Sequence, residues 1–341
     1  MQLQAYYLEA RSPFHLGERG VGLERTEVMA HADTLFSALC LTCREWYGLS
    51  ELDDLLSAFL TDPPFLFSSA FPYAAAPGGA RIRLYPRPQG IPAGVKEDDR
   101  KKFKKVKWVS EAVFYQWIRG GLKIENTQPL HDGEVWLSRE EAQALGVPKG
   151  DTETKKPFRL WADSEVPRVS VDRASNASEI YRSGRVRFAP GGGLWVAFWW
   201  RMEGWSAFVE ELLQVLGDAG MGGERSAGHG QFSVAGPEQM SLPDPAGRFV
   251  NLATYWPQPD ETALALGEKA AYTLIMRRGW MGSPEGSALR RKAVRMIGEG
   301  SVLGMPSKAV LGGLADVTPD VFRHHRVYRY GYALPVGMEA V

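Results

Sequence analysis

The sequence has 341 residues, of which 44% are hydrophobic and 23% are charged, and its 40 basic side chains balance 40 acidic ones. This length suits one large or two ordinary domains, and the composition excludes a wholly disordered chain. The longest hydrophobic run, Leu194 to Trp200, has seven residues, whereas a membrane helix needs about 20. Two cysteines cannot form a disulfide framework, and the first residues lack the features of a secretion signal. We therefore expect a globular protein of the cytoplasm.

The start of the chain predicts the order strand, helix, strand. A strand is predicted over Gln2–Glu9, and a helix follows Asp33, whose side chain suits the N-cap position. A second, shorter helix is predicted over Leu52–Leu60. Two strands are then predicted at 65–73 and 82–85.

A long insertion, residues 87–157, interrupts this pattern and is rich in Pro, Gly, Lys and Glu. After it, the sequence predicts strands at 169–171, 186–188 and 194–201, an amphipathic helix at 205–216 and a strand at 231–235. A second unit of strand, helix and strand therefore follows the first, and this is the order of a ferredoxin-like fold.

Four prolines, at positions 243, 245, 257 and 259, indicate a domain boundary. Beyond them, strands are predicted at 271–280, 293–303 and 326–334. We therefore predict an α+β protein with antiparallel sheets, an N-terminal domain over 1–240 and a C-terminal domain over 241–341.

The charges are unevenly distributed along the chain. Lys96 to Lys107 contains seven basic residues, including six of the 13 lysines in the protein, and Arg277 to Arg295 contains six basic residues against one acidic one. By contrast, Glu45 to Ala80 contains five acidic residues and no basic one. This segregation favours a polyanion at one surface and a protein neighbour at another, although solvated charged loops are the alternative.

A glycine-rich segment, Gly220–Phe232, follows the predicted helix and precedes a strand. Rossmann and Walker loops instead run from strand to helix, so both are excluded. Glycines allow close approach of the backbone to a phosphate, and successive amides beside Arg225, Ser226 and His229 would form an anion-binding nest. An ordinary long turn is the alternative.

Several motifs resemble a known family. Gly222–Phe232 resembles the glycine-rich loop of the RAMP superfamily of CRISPR-associated RNA-binding proteins. Segments similar to the branch that supplies the fourth Csm subunit of type III-A effector complexes are His31–Leu39, Lys102–Ser110, Pro167–Arg173, Glu299–Val302 and Val327–Gly331. Ala32 stands where the family usually has serine or a similar small residue, which leaves the resemblance intact.

The resemblance implies a noncatalytic RNA-binding subunit that acts in antiviral defence without a cofactor. It would hold the 5′ handle of the guide RNA (crRNA), bridging the large polymerase-like subunit to the backbone RAMP subunit. Two ferredoxin-like domains would form a cleft for single-stranded RNA, and the insertion would wedge into the duplex of guide and target RNA.

We accordingly predict one set of RNA-binding residues, which the motifs and the lysine cluster supply. They are His31, Lys102, Lys104, Lys105, Lys107, Arg168, Arg173, Gly222, Gly223, Arg225, Ser226, Gly228 and His229. Aromatic residues near the lysines, namely Phe103, Trp108, Phe114 and Tyr115, would either stack on bases or pack in a local core.

Two other functions are compatible with the sequence. One is a guide-processing endoribonuclease of the same superfamily, in which His31 and His229 form an acid–base pair. The other is a scaffold that contacts only protein, through the acidic stretch from Glu45 to Asp62. We expect no metal site, because Cys40 and Cys43 have no second cysteine pair and fit better as core thiols.

Overall fold

The computed structural model describes residues 1–17, 26–90, 100–148, 157–171 and 178–339, without the side chains of 100, 101, 170, 171 and 179. The helices are α1 (Ala32–Trp46), α2 (Leu49–Thr61), α3 (Arg100–Lys105), α4 (Glu111–Ile118), α5 (Arg139–Ala144), α6 (Trp205–Ala219) and α7 (Thr262–Ala265). The N-terminal strands are β1 (Gln2–Ala10), β2 (Phe65–Phe67), β3 (Phe71–Ala75), β4 (Arg81–Pro86), β5 (Trp108–Ser110), β6 (Thr127–Leu130), β7 (Val135–Ser138), β8 (Trp161–Val171), β9 (Ser178–Phe188), β10 (Gly193–Trp200) and β11 (Phe232–Ser241). The C-terminal strands are β12 (Arg248–Asn251), β13 (Leu274–Arg277), β14 (Val294–Ile297), β15 (Val302–Gly304), β16 (Gly312–Asp316), β17 (Tyr328–Tyr332) and β18 (Pro335–Gly337).

One large sheet organises the N-terminal two thirds of the chain. Its strand order is β11-β1-β10-β3-β4-β5-β7-β6, with β2 also paired to β10, and only β5 and β7 run parallel. β10 lies inside the sheet, and its residues Gly193 to Phe198 are all buried, as expected for a strand made of Trp, Val and Phe. The sheet and its helices confirm the predicted α+β class.

Helices α1 and α6 lie next to each other in the fold. α6 buries Val209, Leu212 and Leu216 on one face, close to the predicted stripe. α1 begins at Ala32 with His31 as its N-cap residue, so the prediction that Asp33 caps this helix was wrong. The Asp33 carboxylate instead accepts hydrogen bonds from two arginines, and it is completely buried.

Residues 100–148 continue the large sheet, because β5 pairs with β4, and β7 and β6 follow it. Phe103, Trp108 and Phe114 are buried in this part of the fold. Packing in a local core, the second of the two alternatives, is therefore the role of these three rings. The hydroxyl of Tyr115 donates a hydrogen bond of 2.6 Å to the carbonyl of Ser241.

β8 and β9 form a long hairpin in which 11 residues of each strand are paired. Phe14 pairs with Val186 at one end, whereas Val169 and Ile180, which are cross-strand neighbours, are exposed. The sequence predicted only the ends of these strands.

The residues after β11 form smaller sheets. β12 pairs with β15 and β18, β13 pairs with β14, and β16 pairs with β17. This region packs on α1 and β2 through Tyr330, whose ring lies 5.5 Å from that of Phe36 and 4.2 Å from that of Phe67. The domain boundary near residue 240 stays a prediction. Among the residues that the structure describes, no helix combines the length and hydrophobicity needed to cross a membrane.

Candidate nucleic-acid interface

A cleft of about 530 Å³ lies where the glycine-rich loop, the first turn of α1 and the β13–β14 region meet. Its basic lining residues are His15, His31, Arg225, Arg277, Arg278, Arg291 and Arg329, and its acidic lining residues are Glu27 and Glu224. A cleft lined mainly by one sign of charge concentrates ligands of the opposite sign. The chemistry of this site therefore fits an anion.

The glycine-rich loop folds back on residues near the N-terminus. The amide of Gly223 donates to the carbonyl of His15 at 2.9 Å, and that of Gly230 donates to Pro13 at 2.8 Å. Gly222 has a φ of +99°, and a Cβ there would overlap the His15 carbonyl. Glycine is therefore required at this position both by conformation and by space.

Part of the loop backbone is available to a ligand. The amides of Gly222, Glu224, Arg225 and Ser226 make no hydrogen bond to any other residue in the described parts of the chain. All four residues line the cleft. This arrangement supports the predicted anion-binding nest, which stays a prediction.

His31 lines the cleft but is engaged on both ring nitrogens. Its Nδ1 lies 2.8 Å from Glu299, and its Nε2 lies 2.9 Å from Glu27. Burial and the charge of Arg277 lower the pKa of His31, but the charge of Glu299 and the hydrogen bonds that His31 donates to both carboxylates outweigh them and raise that pKa to about 10. His31 is therefore a cation at neutral pH.

Neither His229, which is part of the glycine-rich loop, nor Arg168 is among the residues that line the cleft. His229 is buried, its Nδ1 has no hydrogen-bond partner, and burial together with the charges of Arg168 and Arg185 lowers its pKa. Arg168 Nε lies 4.0 Å from Glu224, so Arg168 contacts a residue of the loop.

The remaining predicted residues are spread over other surfaces. Lys102, Lys104, Lys105 and Lys107 are exposed, and none of them lines the cleft. Gly228 is exposed, and Arg173 lies outside the described residues.

Sequence reasoning missed several residues of the cleft. Arg277, Arg278 and Arg291 belong to the second basic run, which was recognised as a charge pattern but was not assigned to the site. Arg329 lies within the motif Val327–Gly331, whereas His15 carries no signal of its own in the sequence. The basic run was the signal from which three of these residues would have been found.

No group of three or more His, Cys, Asp or Glu side chains within the described ranges is arranged to hold a metal ion. Cys40 and Cys43 are free thiols, and burial raises the pKa of both. A raised pKa keeps the thiol protonated, which disfavours its use as a nucleophile.

Comparison with known proteins gives one family. Residues 244–338 match the CRISPR Csm4 C-terminal domain. The chain is 25% identical over 320 residues to the CRISPR system Cms protein Csm4 of Thermococcus onnurineus, covering 90% of this chain and 91% of the relative. It is also 25% identical to the Csm4 protein of Mycobacterium tuberculosis over 327 residues, covering 94% and 93% of the two chains.

Two solved structures share the fold. One is a Csm3-Csm4 subcomplex of the type III-A CRISPR-Cas interference complex, with a TM-score of 0.66, 17% identity, and coverage of 98% of this chain and 99% of the other. The other is a Csm1-Csm4 cassette in complex with cA4, with a TM-score of 0.59, 20% identity, and coverage of 99% and 98%.

Proposed function

We propose that the chain is a member of the Csm4 family of CRISPR-associated proteins, to which its C-terminal residues and its relatives are similar, and that it is an RNA-binding subunit of a type III-A interference complex. In this role it holds the 5′ handle of the crRNA in the cleft beside the glycine-rich loop, as part of antiviral defence. The observation that carries the proposal is the cleft itself, which combines unpartnered backbone amides with a predominantly basic lining.

The chemistry of the cleft suits a single RNA strand. Phosphates are gripped by arginine side chains and by backbone amides, and these contacts carry no base sequence of their own. Arg225 and Arg278 are exposed in the cleft, where their charges reach a ligand. A constant RNA segment suits this cleft, because binding it does not require the protein to read a variable base sequence.

We infer that the N-terminal domain is ferredoxin-like. The strand order β11-β1-β10-β3, with α1 after β1 and α6 after β10, supports this inference because it matches the order 4-1-3-2 of a strand–helix–strand repeat. The C-terminal domain is proposed to be a second unit of the same superfamily, and the boundary is proposed to lie near residue 240.

The proposed role is noncatalytic. A histidine that acts as a general base must have an unprotonated nitrogen within reach of the proton that it removes from the substrate. Both nitrogens of His31 instead donate to carboxylates, and the pKa of His31 is about 10. His229 is buried outside the cleft lining. These contacts favour binding over the alternative of an endoribonuclease that uses His31 and His229.

Protein partners are proposed from the relatives. One of the two similar structures contains Csm4 with Csm1 and the other contains Csm4 with Csm3, so we propose that this chain bridges a large subunit and a backbone subunit. α2 and the end of α1 supply a surface suited to protein: Trp46, Leu49 and Leu60 are more than half exposed beside the carboxylates of Glu51 and Asp53. The carboxylates of this surface repel RNA. We therefore propose that this surface binds protein while the cleft binds RNA.

The experiment that tests the proposal is to sequence the RNA that co-purifies with a tagged copy from its native host. Short RNAs with one constant 5′ end are expected. Absence of RNA, or RNA with random ends, contradicts the proposal and favours a scaffold that contacts only protein. Incubation of the purified chain with repeat RNA completes the test, because a discrete cleavage product would identify an endoribonuclease.

A further inference from the structure

Asp33 lies beneath the basic wall of the cleft. Among the described residues, it is the only carboxylate there that accepts hydrogen bonds from two arginines. Its side chain is completely buried, and Oδ2 accepts hydrogen bonds from Arg277 Nε at 3.0 Å and from Arg329 Nη1. Burial raises the pKa of Asp33, but the charges of Arg277 and Arg329 outweigh burial and lower it well below its usual range. The carboxylate is therefore ionised at neutral pH.

The two arginines connect Asp33 to the surface of the cleft. Arg277 lines the cleft and donates through Nη2 to the hydroxyl of Thr34 at 3.0 Å. Arg329 is only 1% exposed and donates through Nη2 to the backbone carbonyl of Arg278 at 2.8 Å. Asp33 thereby fixes one cleft arginine directly and the backbone of another through Arg329.

A negative charge at this place is unfavourable for an anionic ligand. Coulomb repulsion between Asp33 and RNA phosphates weakens binding, so charge alone favours a neutral residue here. Held arginines lose less conformational entropy on binding than free ones, because a preformed guanidinium fork needs little reordering. By holding the arginines in place, Asp33 therefore offsets the repulsion between its own charge and the RNA phosphates.

We infer that Asp33 is a positioning residue for RNA binding, which sets Arg277 and Arg278 in the geometry that the guide RNA requires. This inference rests on the proposed function, because it assumes that the cleft binds RNA. Asp33 itself does not line the cleft and acts only through the arginines.

Asp33→Asn tests the inference because positioning and charge predict opposite signs. The substitution keeps the shape and removes one negative charge, so a purely electrostatic role predicts tighter RNA binding and a steeper salt dependence. Positioning predicts binding that is roughly tenfold weaker, the effect of losing one charge-assisted hydrogen bond, with a shallower salt dependence. The probe is guide RNA purified with the wild-type protein, titrated against the full chain well below its melting temperature.

A merely structural role gives a third result. Asp33→Asn would then lower the melting temperature, while affinity and salt slope of the folded protein stay at wild-type values, and the inference is overturned. Arg329→Lys is the matched variant, because it conserves charge but cannot reach both Asp33 and the Arg278 carbonyl. Positioning predicts weaker binding for it too, whereas unchanged binding by both variants overturns the inference.

Thr34→Val decides the question if Asp33→Asn does not fold, because it removes only the hydroxyl that accepts from Arg277. We expect weaker RNA binding in the wild-type background and no further loss in an Arg277→Ala background, since coupled residues are not additive. Equal losses in both backgrounds, or no loss in either, contradict positioning through Arg277.

Arg278→Ala separates this inference from the proposed function. If Arg278→Ala weakens RNA binding and Asp33→Asn does not, only the positioning role fails. If neither Arg278→Ala nor Arg225→Ala changes RNA binding, the assignment of the cleft itself fails.

Discussion

His31 Nδ1 donates a hydrogen bond of 2.8 Å to Glu299, although the two residues are 268 positions apart in the chain. Glu299 also accepts a hydrogen bond from the hydroxyl of Ser69, and this hydroxyl accepts from the amide of Ala32 at 2.8 Å. The start of α1 is therefore fixed by contacts from the C-terminal region rather than by a side-chain cap. One wall of the cleft depends on this link.

The His31 link predicts a loss of stability at alkaline pH. Because the pKa of His31 rises from 6.5 to about 10 on folding, its contribution is fully present below pH 6.5 and is lost as pH rises towards 10. We expect the difference in unfolding free energy between wild type and His31→Gln to shrink by up to about 1.4 kcal/mol per pH unit in this window. Urea unfolding from pH 6 to 10 measures it, with the exposed His324→Gln as control. A difference that does not change with pH contradicts the ion-paired state of His31.

Two glycines of the loop differ in the space around them. Gly228 and Gly230 have similar φ angles, +78° and +80°, but a Cβ at Gly230 would overlap the backbone of Met221, whereas nothing lies within 4 Å of one at Gly228. We expect Gly228→Ala to cost about 1 kcal/mol from backbone strain alone and Gly230→Ala to cost about 1–3 kcal/mol more from overpacking. Thermal unfolding of both variants measures the difference. Equal costs would show that the loop does not pack on itself as described.

Substitutions at Arg225 and His229 are predicted to have different effects, the first on RNA binding and the second on stability. Arg225 is exposed and His229 is buried. Arg225→Ala should leave stability within about 0.5 kcal/mol of wild type and reduce the salt slope of guide binding by about 0.7 if one phosphate contact is lost. His229→Ala should mainly lower the melting temperature. The double variant should show both the lower melting temperature and the smaller salt slope. An unchanged salt slope in Arg225→Ala contradicts a phosphate clamp at the loop.

The exposed lysines are predicted to act away from the cleft. Lys104 and Lys105 are exposed and lie between the buried Phe103 and Val106, so replacing both lysines by alanine leaves the core intact. We expect unchanged binding of the isolated 5′ handle and weaker binding of guide paired to target, with a smaller salt slope. Filter binding of both RNAs measures this, with the exposed Lys269→Ala as control. Equal loss for both RNAs would place these lysines on the handle instead.

The apolar surface at α2 is predicted to serve protein assembly. Trp46→Ala combined with Leu60→Ser should leave RNA binding unchanged, because neither residue lines the cleft, and should weaken assembly with the co-expressed Csm1-type or Csm3-type subunit. Size-exclusion chromatography of the co-expressed complex reads this out. Val321→Ser, at another exposed apolar position, is the control. Normal assembly of the double variant would exclude this surface as an interface.

Local patterns were sufficient for much of the N-terminal fold. The hydrophobic run that became β10 and the amphipathic stripe of α6 predicted their elements within a few residues, because burial on a sheet or on one helix face imposes a period on the sequence. The glycine-rich loop was also identified in advance, since its required conformations leave a composition that few other segments share.

The cleft could not be predicted, because its chemistry depends on contacts between distant residues. Asp33 has the sequence signature of a helix cap, yet its carboxylate is used by Arg277, which is 244 positions away. Residues 100–148 were interpreted as an insertion, because their strands are short and the buried Phe103 and Trp108 stand among lysines. A tertiary contact overrides a local preference in both cases.

The central claim, that the cleft holds the 5′ handle, is tested most directly by ultraviolet cross-linking. Guide RNA radiolabelled at its 5′ end is cross-linked to the full chain, and the cross-linked peptides are identified by mass spectrometry. The account predicts cross-links from the constant 5′ segment to peptides that contain residues 220–232 and 277–291, which meet at the cleft. Cross-links from that segment only to the lysine-rich region at 102–107, or no cross-link to the chain, would contradict it.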